Sequence, residues 1–110
     1  APISYDEEYF FLNETEKPRP FGVALWPAAI ALAHDIAARD GAFRGKRVLE
    51  LGAGVGLPGI VASSLGGRVT QTDRHEAAMV VCRRNGERNG GGIDYKVADW
   101  TQWSDEVRYD

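Results

Sequence analysis

The first clear pattern of apolar and polar positions lies in the stretch WPAAIALAHDIAARDGAF, and it has the period of a helix. Its apolar residues recur three or four positions apart, at Ile30, Ala33, Ile36 and Ala37. Pro27 suits a first helical turn, where its missing N–H costs nothing, and Gly41 ends the pattern. We therefore predict a helix that begins near Pro27 and ends before Gly41.

Strand-like and helix-like segments alternate after this helix. Short apolar or β-branched runs predict strands, and the stretches between them have helical patterns bounded by proline or glycine. The predicted strands are RVLEL (47–51), RVTQTD (68–73) and IDYKVADW (93–100), and the predicted helices are PGIVASSLG (58–66) and HEAAMVVCRRNGERNG (75–90), the latter fraying near Gly86 and Gly90. Strands that alternate with helices predict an α/β fold with a parallel, Rossmann-like sheet and flanking helices. RRNGER (83–88) is expected to be a solvated helix end.

Residues 1–22 differ from the rest because they are acidic and aromatic. EYFFLN is compatible with a short strand, and the two prolines of KPRPFG predict a turn. We expect an N-terminal extension at 1–22 and a single α/β unit, itself a partial domain, at 23–110. The acidic stretch YDEEYFFLNETE is expected to be a solvated edge, with contact to a basic substrate as the alternative.

Composition and charge exclude several classes of function. A net charge of −3 argues against a large nucleic-acid surface. The single cysteine, Cys82, excludes an intrachain disulfide framework and suits a reducing compartment. No apolar run approaches the ~20 residues that span a bilayer, and no signal-peptide pattern opens the chain, so we expect a cytoplasmic protein without a membrane partner. His34, His75 and Cys82 lack the spacing of metal ligands, so we expect no metal.

Three features fall at the carboxyl ends of the predicted strands: the glycine bend at 52–56, Asp73, and the pair Asp99 and Trp100. Ligands of open parallel sheets bind beyond these ends, so the three features would meet at one site. At the bend, Gly52, Gly54 and Gly56 permit positive φ and close approach of a ligand to the backbone. The free N–H groups of the following helix favour a carboxylate, a phosphate or a polar nucleoside there. A plain tight turn is the alternative.

The run from Glu50 to Gly56 has the form acid-x-G-x-G-x-G and resembles motif I of the class I, seven-β-strand S-adenosylmethionine-dependent methyltransferases. A dinucleotide fingerprint instead requires G-x-G-x-x-G, and Leu57 occupies the place of its third glycine. The resemblance implies that the loop backbone packs against the methionine and ribose of S-adenosyl-L-methionine, with Glu50 near the methionine end. The alternative for Glu50 is to cap nearby backbone N–H groups.

The acids after the second and third strands also have two interpretations each. Asp73 can accept hydrogen bonds from both ribose hydroxyls, as the resemblance implies, or it can cap a helix in a capping box with Glu76. Family resemblance implies that Asp99 accepts the adenine amino group and that Trp100 packs on the ring. The alternatives are a turn-starting aspartate and a core tryptophan.

Four segments together resemble a narrower group, the lysine methyltransferase family 16, of the methyltransferase-like 21 type. They are LWPAA, LELGAG, the acid after the second strand and DW after the third, over roughly residues 20–103. The resemblance implies that Trp26 walls the cofactor pocket, that Gly52, Ala53 and Gly54 form the cofactor loop, and that Asp73 and Trp100 contact ribose and adenine. Alone, a tryptophan before a helix is more often a packing anchor.

The resemblance implies an enzyme that transfers a methyl group to a protein lysine or to a small molecule, and that continues beyond the three predicted strands. No residue here matches the family's substrate-side motif, so no catalytic residue is assigned, and activity of these residues alone is left open. The sheet edge where a fourth strand would pair is left open. We therefore expect these residues alone to be weakly stable or to associate with a second copy. The alternatives are a non-catalytic nucleotide-binding half-domain and, less favoured because of Leu57, an NAD-dependent oxidoreductase.

Overall fold

The computed structural model describes residues 25–39, 41–104 and 106–110 of the chain. Within these residues three helices and three strands follow one another: α1 (Pro27–Ala38), β1 (Arg47–Glu50), α2 (Leu57–Ser64), β2 (Arg68–Asp73), α3 (Glu76–Arg88) and β3 (Asp94–Val97). The predicted order and type of these elements are confirmed. The third strand is shorter than predicted, because it ends at Val97 rather than at Trp100. The strand and turn expected in EYFFLN and KPRPFG, and the boundary at residue 22, lie outside the described residues.

The three strands form one parallel sheet in the order β1-β2-β3. The register places Glu50 beside Gln71 and Asp73 beside Val97. The carboxyl ends of all three strands therefore meet at the same edge of the sheet. This confirms the parallel arrangement on which the expected single site depends.

The helices cover the sheet with small and branched apolar side chains. Helix α1 packs on α2, which packs on β1 and β2, and α3 packs on β2 and β3. The main buried cluster comprises Ala33, Ile36, Ile60, Val61, Ala62, Val69 and Ile93. Full burial of one such large aliphatic side chain stabilises a fold by about 1.5–3 kcal/mol, so these contacts hold the strand ends in place.

Helix α3 continues through the segment that the sequence marks as a solvated end. Asn85 and Gly86 are buried inside the helix, which reaches Arg88. They lie one turn beyond Val81 and Cys82, on the face that packs against the sheet. The expectation of a solvated end is therefore wrong for these two residues and holds for the exposed Arg83, Arg84, Glu87 and Arg88. The expected fraying near Gly86 is wrong, because the helix continues to Arg88.

Strand β1 lies at an edge of the sheet, and its first residue contacts the last residue of the chain. The backbone N–H of Asp110 donates to the carbonyl of Arg47 at 2.8 Å. The backbone N–H of Arg47 donates in turn to Oδ2 of Asp110, also at 2.8 Å. No other described segment pairs with this side of β1. Among the helices of the described ranges, none has both the length and the apolar character needed to cross a membrane.

Candidate functional site

A cavity of about 720 Å³ opens at the carboxyl ends of the strands. Seven of the nine residues predicted for the site line it: Trp26, Glu50, Gly52, Ala53, Gly54, Asp73 and Trp100. Gly56 and Asp99 do not line it. A larger cavity of about 850 Å³ lies at the amino-terminal ends of the strands, and none of the predicted site residues belongs to it. The structure thus brings the sequence-distant features together at one place.

The glycine loop between β1 and α2 uses the backbone freedom that the sequence indicates. Gly52, Gly54 and Gly56 have φ angles of +62°, +57° and +93°. A Cβ at Gly56 would lie 2.8 Å from Sγ of Cys82, so no side chain fits there, whereas a Cβ at Gly52 would meet nothing within 4 Å. The N–H of Ala53 donates to the carbonyl of Thr72 at 2.8 Å and ties the loop to β2. The loop is therefore closed toward the protein at Gly56 and open at Gly52.

Asp73 joins the glycine loop to the start of α3. Its Oδ2 accepts the N–H of Gly54 at 3.0 Å, and its Oδ1 accepts the N–H of His75 at 2.9 Å. The capping-box alternative is wrong, because His75 holds the N-cap position of α3 and no side chain caps this helix. A carboxylate has about four acceptor positions, so Asp73 can accept further hydrogen bonds from a ligand in the cavity.

Glu50 is partly buried at the end of β1. Its Oε1 accepts the N–H of Gly59 at 3.1 Å and Nε2 of Gln71 at 2.8 Å. Gly59 lies in the first turn of α2, where backbone N–H groups have no partner within the helix, so the capping alternative is confirmed for this oxygen. Burial, the largest influence, raises the pKa of Glu50, the hydrogen bonds from Gln71 and Gly59 lower it and the Asp73 charge raises it, and together they bring this pKa to about 7. Glu50 therefore changes charge near neutral pH.

Two tryptophans form the outer part of the cavity. Trp100 is 65% exposed, so the alternative that it is a core tryptophan is wrong. Trp26 lies at the N-cap position of α1 and is 41% exposed. Both rings present apolar surface at the cavity.

Asp99 does not line the cavity, and its side chain is held by hydrogen bonds within its own turn. Its Oδ1 accepts the N–H and the hydroxyl of Thr101 at 2.9 and 2.7 Å. These bonds hold the pKa of the carboxyl below its ordinary value. The turn-starting alternative is thus confirmed, and the adenine contact of Asp99 stays a prediction.

Sequence reasoning missed several residues that support the site. Gln71 and Asn85 are 0% exposed, and Asn85 Nδ2 donates to the carbonyl of Val55 at 2.9 Å. Thr72 donates its hydroxyl to the carbonyl of Glu50 at 2.9 Å. The sequence did carry one signal for these residues: each is polar at a position that the periodicity assigns to the core. A buried polar side chain needs a hydrogen-bond partner, so such a position indicates a buried contact. No group of three or more metal-ligating side chains occurs in the part of the chain that the structure describes.

The fold of the described residues is similar to that of enzymes whose structures have been determined. The tRNA (uracil-54, C5)-methyltransferase of Pyrococcus abyssi, in complex with S-adenosyl-L-homocysteine, superposes with a TM-score of 0.62 at 28% identity. The match covers 76% of this chain and 20% of that enzyme. The fold is that of an S-adenosylmethionine-dependent methyltransferase.

The family follows from sequence comparison. Residues 5–110 match the family described as lysine methyltransferase, and the chain belongs to this family. The protein N-lysine methyltransferase METTL21A of Danio rerio is 52% identical over 66 residues, covering 60% of this chain and 30% of the relative. The histone-arginine methyltransferase METTL23 of Mus musculus is 38% identical over 71 residues, covering 63% and 28%. The chain therefore spans less than a third of these curated relatives.

Proposed function

We propose that the protein binds S-adenosylmethionine in the cavity at the strand ends and transfers its methyl group to a lysine of another protein. The observation that carries the proposal is the meeting of Gly54, Asp73 and Trp100 around one cavity. Its volume of about 720 Å³ lies within the range of about 300–1,000 Å³ of small-molecule sites. Two carboxyl groups among mostly apolar walls suit a cofactor with a cationic end, a ribose and an adenine.

Each part of the cavity suits one part of this cofactor. Asp73 would accept the ribose hydroxyls with the acceptor positions that the two backbone N–H groups leave. The open loop at Gly52 would let the methionine portion approach the backbone. The exposed ring of Trp100 would stack on the adenine, as aromatic rings do with nucleic-acid bases. Gly56, which packs behind the loop, would support its shape rather than touch the cofactor.

The chemistry requires alignment more than proton transfer at the protein. When bound, S-adenosylmethionine supplies a methyl group that its sulfonium makes electrophilic. A deprotonated lysine nitrogen would take this methyl group, and the electron pair of the broken carbon–sulfur bond would stay on sulfur. The amine afterwards loses a proton to water. This chain's residues contribute by orienting the cofactor and excluding water, and none of them is assigned as a base.

The acceptor is proposed to be a lysine because the family and METTL21A carry that name. METTL23, which matches with lower identity, is named for histone arginine. Arginine methylation and small-molecule methylation are therefore the other outcomes of an acceptor test. The absence of nucleic-acid and membrane partners, and a cytoplasmic location, stay predictions from charge and composition.

Calorimetric titration tests the cofactor, and a methyl-transfer assay tests the reaction. We expect the protein to bind S-adenosylhomocysteine and S-adenosylmethionine and not NAD, and to label lysine in a basic protein substrate. Binding of NAD alone would overturn the proposal. Cofactor binding without transfer to any protein, by the complete gene product, would favour the non-catalytic half-domain.

We further propose that residues 1–110, prepared alone, associate through the edge of β1. Beyond the contact of Arg47 with Asp110, no described segment pairs with this edge, and Leu51 at its end is 41% exposed. An open edge presents backbone groups that can pair with a second copy. Light scattering across a range of protein concentrations should show dimers or larger species. A monomer with a sharp unfolding transition at all concentrations would contradict this proposal.

A further inference from the structure

One fully buried glutamine joins the end of β1, the glycine loop and α3. Gln71 is 0% exposed, and its Nε2 donates to Oε1 of Glu50 at 2.8 Å and to the carbonyl of Gly56 at 2.9 Å. Its Oε1 accepts the thiol hydrogen of Cys82 at 3.2 Å. Both N–H donors of the side chain are used. These partners fix which end of the Gln71 amide is nitrogen and which is oxygen. In the opposite orientation the amide oxygen would face the carbonyl oxygen of Gly56, and two acceptors cannot form a hydrogen bond.

Helix α2 lies so close to this contact that no side chain fits at Gly59. A Cβ at Gly59 would lie 2.5 Å from Nε2 of Gln71 and 2.6 Å from Oε1 of Glu50. The N–H of Gly59 donates to the same carboxyl oxygen at 3.1 Å. The Glu50 carboxyl is therefore held from β2 by a side chain and from α2 by a backbone group, while it lines the cavity.

We propose that Gln71 is a positioning residue that holds the Glu50 carboxyl at the cavity and, through this contact, sets the pH range over which cofactor affinity changes. The inference rests on the proposed function, because it takes the ligand of the cavity to be S-adenosylmethionine. It goes beyond that function by assigning a role to a residue that does not line the cavity.

Electrostatics give the direction of the dependence. Burial raises the pKa of Glu50 to about 7, and the hydrogen bond from Gln71 is the largest influence that lowers it. The other titratable groups around it are Asp73, whose charge raises the same pKa, and Cys82, whose own pKa burial raises far above neutral. Arg74 and His75 line the same cavity. Ionised Glu50 attracts the ammonium of the cofactor's methionine portion, so affinity should rise with pH through neutrality.

The decisive variant is Gln71→Met, which keeps similar length and removes the N–H donors. The dissociation constant of S-adenosylhomocysteine would be measured by calorimetry from about pH 5.5 to about pH 9.5, a range that covers both expected midpoints. The wild-type protein should gain affinity about tenfold with a midpoint near pH 7. Gln71→Met should move this midpoint upward by about one pH unit, and should bind about threefold more weakly at pH 7. A midpoint that stays at the wild-type value would overturn the proposal.

Two control variants separate positioning from packing. Thr70→Val changes the neighbouring buried residue of β2, whose side chain points to the other face of the sheet, and it should leave the midpoint unchanged. Cys82→Ala removes the thiol donor to Gln71 but leaves both Nε2 bonds, so it too should leave the midpoint in place. A shift in either control as large as that of Gln71→Met would show a general packing effect and overturn the proposal.

A measurement on the wild-type protein without ligand covers the case in which Gln71→Met does not fold. Nuclear magnetic resonance would follow the Glu50 carboxyl carbon and the Gln71 side-chain amide as pH changes. The amide resonances should shift with the same midpoint as the carboxyl, and a flat amide response would overturn the coupling. Failure of the wild-type protein to bind S-adenosylhomocysteine would overturn the proposed function and the affinity part of this inference. The carboxyl titration would still decide whether Gln71 holds Glu50.

Discussion

The two ends of the cavity are held in different ways. At the inner end, Asp73 and Glu50 accept hydrogen bonds from groups that lie 19 and 21 residues away along the chain, the N–H of Gly54 and the amide of Gln71. At the outer end, Trp100 is 65% exposed, and the neighbouring Asp99, which does not line the cavity, is held by Thr101, two residues away. The inner end is therefore joined across several elements, and the outer end is locally organised.

The inner end therefore belongs to the site and to the fold at once, whereas the outer end belongs to the site alone. A substitution at the inner end breaks contacts between elements, so it should lower stability and ligand affinity together. A substitution at the outer end removes only surface that the ligand would cover. The predictions below test this contrast, beginning with the largest expected effect.

Asp73→Ala should have the largest effect. It removes the partner of two backbone N–H groups, so we expect a loss of about 2–4 kcal/mol in the free energy of unfolding. It also removes the proposed ribose contact, so S-adenosylhomocysteine should bind about 100-fold more weakly. Urea unfolding and calorimetry measure the two effects. Asp35→Ala is the control, because it loses only an exposed ion pair with Arg39 at 3.0 Å. If Asp73→Ala lost stability but kept its affinity, the carboxylate would serve the fold alone.

Glu50→Gln should change the pH dependence of stability. Because the folded pKa of Glu50 is about 7, above its ordinary value of 4.5, the folded protein binds an extra proton between these values. Stability of the wild type should therefore fall as pH rises from about 4.5 to 7, by at most about 3 kcal/mol, and then level off. Glu50→Gln should remove this fall and be the more stable protein at pH 8, while it binds the cationic cofactor more weakly.

Thermal unfolding between pH 4.5 and 8 checks this prediction for Glu50. Glu87→Gln, at an exposed position of α3, serves as the control and should keep the wild-type slope. Equal slopes in the wild type and Glu50→Gln would show that another group causes the pH dependence.

Trp100→Ala should have the smallest effect on the fold and a moderate effect on binding. Loss of a stacking surface should weaken S-adenosylhomocysteine binding about tenfold. The melting temperature should change by less than about 2 °C, since the exposed ring contributes little to the core. Trp103→Ala is the control, because that ring lies 5.7 Å from Nζ of Lys96 and does not line the cavity. Unchanged affinity in Trp100→Ala would remove the outer end from the proposed adenine site.

Much of the fold could be predicted because its signals are local. Apolar residues three or four positions apart gave α1, and β-branched residues gave β2 with the bounds that the structure has. The parallel order then placed Gly54, Asp73 and Trp100 at one edge without any coordinates. Their contact with a cofactor stays a prediction, although they line one cavity.

The order of the elements, the parallel sheet and the residues at its carboxyl edge follow from patterns along the chain, since periodicity and glycine or proline positions act over a few residues. The three-dimensional packing was needed to show that Asp73 ties the loop to α3 and that the Asp99 carboxyl accepts hydrogen bonds from Thr101. It alone placed Gln71 between Glu50, Gly56 and Cys82. The physical reason is that a buried polar group takes its partner from whichever elements the packing brings within hydrogen-bond distance, and no pattern along the chain specifies that distance.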